Sequence, residues 1–228
     1  MMRELCRYRN VYITGCRGIT KTYCLLLTKM IKGILWPGIP MRYIAPNQRQ
    51  AANLATQAFH QIEKDYPVIA MHWAIRNERD DMFRITTEYG SEFTMYSPRG
   101  DNCGETIAEE IGQEGKDAFD MDKYEQDVLP TCRIERMVNQ QQDVTIVQLQ
   151  HGHISNACAR TNRAFSVHRA ACLDDMQHGD TFDGYVMDMS FVCALMGNIR
   201  SIDYIKDQRK KLSESDWKRE MCALYTGS

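Results

Sequence analysis

The sequence predicts an α/β fold, a three-layer sandwich built on a mainly parallel central sheet. Two observations predict it. Short β-prone runs alternate with helical patterns from residue 11 onward, and this order covers both faces of a sheet with helices. Hydrophobic residues make up 43% of the 228 and charged residues 25%, enough apolar content for one domain core, and no apolar run is long enough to span a bilayer. The elements follow in order. Val11 to Thr14 is β-prone, and Lys21 to Ile34 is an apolar-rich helical pattern ending near Pro37-Gly38. "MRYIAP" reads as a short buried strand stopped by Pro46, and "NQRQAANLATQAFHQIEKDY" as a helix with Ala, Leu and Phe on one face. "MFRITTEYGSEFTMYS" gives two alternating runs around Tyr89-Gly90-Ser91, a hairpin at or beside the sheet edge. "ETIAEEIGQEG" is a short strand ending in carboxylates, "DKYEQDVLP" a brief helix closed by Pro130, and "DVTIVQLQ" a further strand. Ala159 to His178 is helical and "GYVMDM" a strand; "DQRKKLSESDWKREMCALYTGS" reads as an amphipathic helix pair with Ser213 as an N-cap.

Composition excludes several classes of protein. The start "MMRELCRYRN" is charged and lacks the apolar stretch of a secretory signal, so a cytosolic location is expected. Nine scattered cysteines, an odd number with no C-x-x-C pair, fit reduced thiols rather than a disulfide framework or a zinc site. A net charge of −2 provides no global field for nucleic acid, so any such contact would come from a local patch.

The chemistry is concentrated in "VYITGCRGITKTY". A phosphate-binding loop needs backbone N–H groups converging on one cavity, a helix N-terminus behind them, a lysine for the β- and γ-phosphates and a hydroxyl for magnesium. The run Gly15, Cys16, Arg17, Gly18, Ile19, Thr20, Lys21, Thr22 supplies these parts at the spacing G-x-x-x-x-G-K-[ST], with Thr20 where the last glycine normally stands. Thr20 brings a β-carbon to a place of close backbone approach. The second half is "GETIAEEIGQEG": an ATPase of this kind sets one acid at a strand end to hold magnesium through water, and a second beside it to orient and deprotonate the attacking water. Glu109 and Glu110 suit those two tasks. A Glu-Glu pair alone is more often a solvated charge cluster; its place downstream of the loop is what favours the functional reading.

In register over almost the whole chain, these residues resemble the ATPase region of the phage terminase large subunit, the motor that pumps DNA into procapsids. The resemblance rests on Arg17 early in the loop, "IAPNQRQA" from Ile44 to Ala51, Arg99-Gly100 before the acidic strand, "AEEIGQEG", and "HISNACARTNRAF", which is similar to that family's coupling motif. It implies a P-loop NTPase fold of the ASCE (RecA-like) kind, with ATP and Mg²⁺ as cofactors. Arg17 would sense or stabilise the γ-phosphoryl charge, Thr22 and Glu109 would serve the metal, and Glu110 would be catalytic. Ser155 and Asn156 would couple phosphate state to movement. It further implies a core over residues 1–200 and a helical linker over 201–228, leading to where a nuclease domain would begin, with no DNA cleavage expected from this chain. The implied partners are double-stranded DNA, the portal protein and the small terminase subunit in the host cytoplasm, with a ring of copies on the procapsid and a monomer in isolation. Two other readings stay open: a helicase-like P-loop ATPase, and a catalytically weak nucleotide-binding assembly module.

Other residues read more plainly. His151-x-His153 is expected to be a surface or hydrogen-bonded pair, and Asp101, Asp117, Asp120 and Asp122 to cap and solvate. Arg160 and Arg163 read as a solvated helix face before an arginine finger, and Lys206 to Lys211 as a solvated basic run that is also a candidate for DNA phosphates. Phe59, Trp73 and Trp217 are expected in the core or an interface.

Overall fold

A computed structural model describes residues 1–79, 82–95, 102–115 and 118–227, apart from the side chains at 48, 50, 51 and 76. Arg99, Gly100, Asp101 and Asp117 therefore lie outside the described residues. The chain opens with α1 (Glu4–Arg7), β1 (Asn10–Gly15), α2 (Lys21–Leu35), β2 (Pro40–Ile44), α3 (Gln48–Asp65) and α4 (Pro67–Ala70). Next come β3 (Trp73–Arg79), β4 (Met82–Thr87), β5 (Glu92–Met95), β6 (Glu105–Glu109) and α5 (Met121–Lys123), which runs on as irregular helical turns to Thr131. A small hairpin of β7 (Met137–Val138) and β8 (Gln141–Gln142) precedes β9 (His151–Ser155), α6 (Arg163–His178) and β10 (Gly184–Met189). The last elements are α7 (Phe191–Met196), α8 (Ile202–Lys211) and α9 (Glu214–Glu220).

Eight strands form one sheet in the order β10-β1-β9-β6-β2-β5-β4-β3. The six from β10 to β5 are mutually parallel, and β4 runs against both its neighbours. Side chains alternate across a strand, and the two faces bury different partners. Val11, Ile13, Tyr43, Ile107 and Ile154 pack under α2 and α3 with Phe59 and Trp73. Their neighbours Ile44 and Ala108 face the other way, against Met121, Tyr124 and Val128 and against Ala164 of α6. Helices on both faces make the expected three-layer sandwich.

One expectation is corrected, and two further elements were not foreseen. "DVTIVQLQ" is not a strand beyond Gln142; the strand begins at His151. Side chains take over the backbone groups there: Asp143 Oδ1 accepts from the Thr145 amide at 2.9 Å, and Gln148 Nε2 donates to the carbonyls of Asp143 and Arg136 at 2.7 and 3.2 Å. Short polar side chains that satisfy nearby backbone groups compete with a ladder. Strand β3 was not expected because it lies at the sheet edge with charged residues at its end, which blunts the apolar pattern of a strand. Helix α7 was also missed; Ser190 caps it by accepting from the Val192 amide at 3.3 Å.

Candidate active site

The loop lies where β1 gives way to α2, at the carboxyl ends of the parallel strands, which is where open α/β sheets bind ligands. Residues 17–22, Glu109, Glu110, Ser155 and Asn156 line one cavity of about 660 Å³. Gly15 completes β1, and Cys16 turns inward to pack with Ile19 and Ala194. Thr20 has φ 61°, in the left-handed region, which explains why glycine commonly stands at this step. A non-glycine residue there costs about 1–2 kcal/mol. The strained residue stands directly before α2 and lines the cavity.

Lys21 is buried, and its Nζ donates to Asn156 Oδ1 at 2.6 Å and to the carbonyls of Gly15 and Cys16 at 3.1 and 3.3 Å. Burial pushes its pKa down, while Glu110 and Glu109 oppose that shift. Thr22 Oγ1 donates to both oxygens of Glu109 at 2.8 and 3.1 Å. Glu109 is itself buried; desolvation first, then the nearby Glu110 charge, push its carboxyl up to about 7 against the pull of Lys21 and Thr22. Glu110 sits just past the strand end at φ 57°, another strained position for a residue with a side chain, and its carboxylate borders the cavity.

The end of β9 touches both halves of the site. Asn156 holds Lys21, and Ser155 Oγ accepts from the Gly112 amide at 2.9 Å, just after the carboxylates. A β-carbon at Gly112 would lie 2.8 Å from Ser155 Oγ and 3.0 Å from Cys158 Cβ, so glycine is required for this approach. The register explains the contact: β9 pairs with β1 on one side and β6 on the other, which places its last residues between the loop and the acids. A magnesium ion fits this donor set. Thr22 and Glu109 already meet, and magnesium takes only one or two carboxylates alongside phosphate and water. Among the described residues no group of three or more His, Cys, Asp or Glu forms an all-protein cage.

Sequence reasoning missed the contribution of the last third of the chain. The Arg17 guanidinium, exposed at the cavity edge, pairs with Glu220 of α9 at 3.1 Å, and its amide donates to the Glu220 carbonyl at 2.7 Å. Arg219 reaches Glu114 at 3.4 Å, Thr14 shares a 2.7 Å hydrogen bond with Tyr225, and Thr226 pairs with Ala159. The residues expected as a linker thus pack against the loop, the segment after the acids and the stretch after β9. Arg200, after α7, also lines the cavity and donates from Nε to the Gly18 carbonyl at 3.0 Å. No local sequence signal marks these contacts; the side-chain bonds among them span from 105 to 211 positions.

The remaining expectations resolve simply. His153 is neither exposed nor hydrogen-bonded at Nδ1: it is buried, stacked on Tyr12 at 5.0 Å with Tyr124 edge-on at 5.7 Å, and burial lowers its pKa to about 4. Asp120 caps α5 through the Lys123 amide, and Asp122 and Glu125 pair with Arg163. On α8, Lys206, Arg209 and Lys211 each pair with an acid on the same or the next helix, the mark of a balanced solvated face. Trp217 packs on Phe191 at 5.3 Å.

Loop, helix, paired acids and an intervening strand sit at one end of a three-layer α/β sandwich with a mainly parallel sheet. The fold is that of phage large terminase ATPase domains. The chain superposes on the large terminase of a thermophilic bacteriophage in complex with ATP-gamma-S with a TM-score of 0.65 at 8% identity, over 96% of this chain and 48% of that one. It superposes on the Thermus phage P74-26 large terminase ATPase domain with a TM-score of 0.63 at 12% identity, over 96% of this chain and 89% of that one. The ADP complex of the first of these terminases gives 0.63 at 10% identity, again over 96% and 48%. The chain spans about half the length of that terminase. No protein-family model matches the sequence, and no curated protein matches it.

Proposed function

We propose that the chain is the ATPase region of a viral DNA-packaging motor, hydrolysing ATP to drive double-stranded DNA into procapsids. The observation that carries the reading is the direct bond from Thr22 to Glu109, with Lys21 and Gly112 both held by the end of β9. That arrangement joins a phosphate loop, a metal-side carboxylate and a third strand in one unit. Lys21 exchanges its bonds to Asn156 and the loop carbonyls for phosphate oxygens. Thr22 and Glu109 would hold Mg²⁺, whose charge would offset that of the β- and γ-phosphates. Glu110 orients the attacking water and takes its proton. Asn156, released by Lys21, reports nucleotide occupancy to β9, and Ser155 carries that report to the segment after the acids.

The test compares two carboxamides. Glu110→Gln should keep Mg-ATP binding and lose hydrolysis by about 10²–10⁴-fold, as for a displaced acid–base group. Glu109→Gln should mainly raise the magnesium concentration needed. Equal, modest effects at both positions in a phosphate-release assay would return the pair to the status of a solvated charge cluster.

A further inference from the structure

Among the described residues four cationic side chains line the cavity, and three have acidic or amide partners. Lys21 is held by Asn156, Arg17 by Glu220 and Arg219 by Glu114 and Asp216. Arg200 is different. Among the described residues no carboxylate pairs with it; its Nε is spent on the Gly18 carbonyl, and its guanidinium carbon stands 4.8 Å over the Tyr204 ring. The group is held against the loop: a β-carbon at Gly18, where φ is 77°, would lie 2.7 Å from Arg200 Nη2. Its position is also built from behind. After α7 the amides of Ile199 and Arg200 donate to the Ala194 carbonyl at 2.9 and 3.2 Å, and Ala194 packs on Cys16 and Ile19 of the loop itself.

A held guanidinium whose Nη groups have no protein partner among the described residues, lining the same cavity as Lys21 and Thr22, suits an oxyanion, and the spacing of the loop makes that anion a polyphosphate. Resting on the ATPase reading above, we propose that Arg200 is a phosphate-binding residue supplied by the same chain, contacting the polyphosphate of the nucleotide from the side of α7. The anchoring at Gly18 and Tyr204 leaves little side-chain freedom to lose on binding, and it ties the position of the 189–200 segment to phosphate occupancy. Arg17 differs in this respect, since it must first leave Glu220.

The experiment titrates Mg-ATP and Mg-triphosphate, which has no base or sugar, into the wild-type chain, Arg200→Ala and Arg200→Gln, with thermal melts to confirm folding. Glutamine keeps a donor for the Gly18 carbonyl and removes the charge, so a residue that only braces the loop would be rescued by it. Both variants should bind both ligands about 10- to 100-fold more weakly, the range for hydrogen bonds to a charged group. They should also show a shallower dependence of affinity on salt. Full affinity in Arg200→Gln would make Arg200 a brace and overturn the proposal. Loss of ATP affinity with triphosphate affinity intact would overturn it in favour of stacking on the base. A wild-type chain that binds neither ligand would overturn the ATPase reading together with this one, whereas tight wild-type binding with unchanged variants would overturn this one alone.

Discussion

Glu109 shows what burial does to one residue. Its carboxyl is raised from 4.5 to about 7 by desolvation and then by Glu110, so the folded protein takes up its proton more readily than the unfolded chain. The sign follows: ionised Glu109 costs stability, the cost is absent below about pH 4.5, grows as pH rises, and is complete above about pH 7. Its upper bound is about 3 kcal/mol, at about 1.4 kcal/mol for each tenfold change in proton affinity. Glu109→Gln, which still accepts the Thr22 hydroxyl, should therefore stabilise the nucleotide-free protein at pH 8 and have little effect near pH 4.5. Thermal melts of both proteins across that range check it; a gain independent of pH would mean the carboxylate is not the source. Magnesium-dependent nucleotide binding should weaken as pH falls through 7, because the metal needs the carboxylate ionised. Thr20 and Glu110 add strain of another kind, each held at positive φ beside the cavity.

At the scale of elements, α2 is fastened to β6 at two levels. Thr22 meets Glu109 at one end, and Lys29 and Lys32 both pair with Glu105 at the other. The lengths agree: ten residues of helix and four steps of strand each cover about 13–15 Å. Positions 22, 25, 29 and 32 recur at helical spacing, so one face of α2 carries all of these groups. Lys29 and Lys32 are fully buried, with Gln150 and the Val147 carbonyl accepting further bonds. Burial alone would raise the Glu105 pKa, but the two ammonium groups overcome this and hold it below the ordinary carboxylate range. Removing the carboxylate leaves two buried cations without their partner, so Glu105→Gln should cost about 3–5 kcal/mol in denaturant unfolding. A loss under about 1 kcal/mol would show that the lysines are satisfied by Gln150 and Val147.

At the scale of the whole molecule, the sheet brings the loop, the acids and the end of β9 to one edge, and the final residues cross over them from Glu220 to Thr226. In the motor reading, copies of the chain would form a ring on the portal, each supplying a basic side chain to its neighbour's nucleotide. A chain alone lacks that partner, and a trans-acting arginine can contribute about 10³–10⁵-fold. Turnover by the isolated chain should be slow and should rise steeply on procapsids carrying portal and small terminase subunit. Equal turnover with and without procapsids would remove the need for a ring and favour a stand-alone helicase-like ATPase. Among the described residues no helix is long and apolar enough to cross a membrane.

What the sequence determined by itself was the order of elements and the chemistry carried on short stretches. The run from Gly15 to Thr22 is contiguous, and Glu109 and Glu110 close an apolar strand downstream of it, so their order in the chain singled out two groups that the fold brings to one cavity. The hairpin at Gly90 and the N-cap at Ser213 were legible for the same reason: each is decided by neighbours in the chain. Edge strand β3 and the loop from Asp143 to Gln150 were not, since solvent exposure and side-chain bonds there override the local pattern. Only the tertiary structure decided that Lys29 and Lys32 are core residues, that Arg17 meets Glu220, and that Arg200 rests on Gly18. These contacts join groups from about 73 to 203 positions apart. Burial and charge pairing at such range depend on how the strands are ordered in the sheet, and no local propensity carries that order.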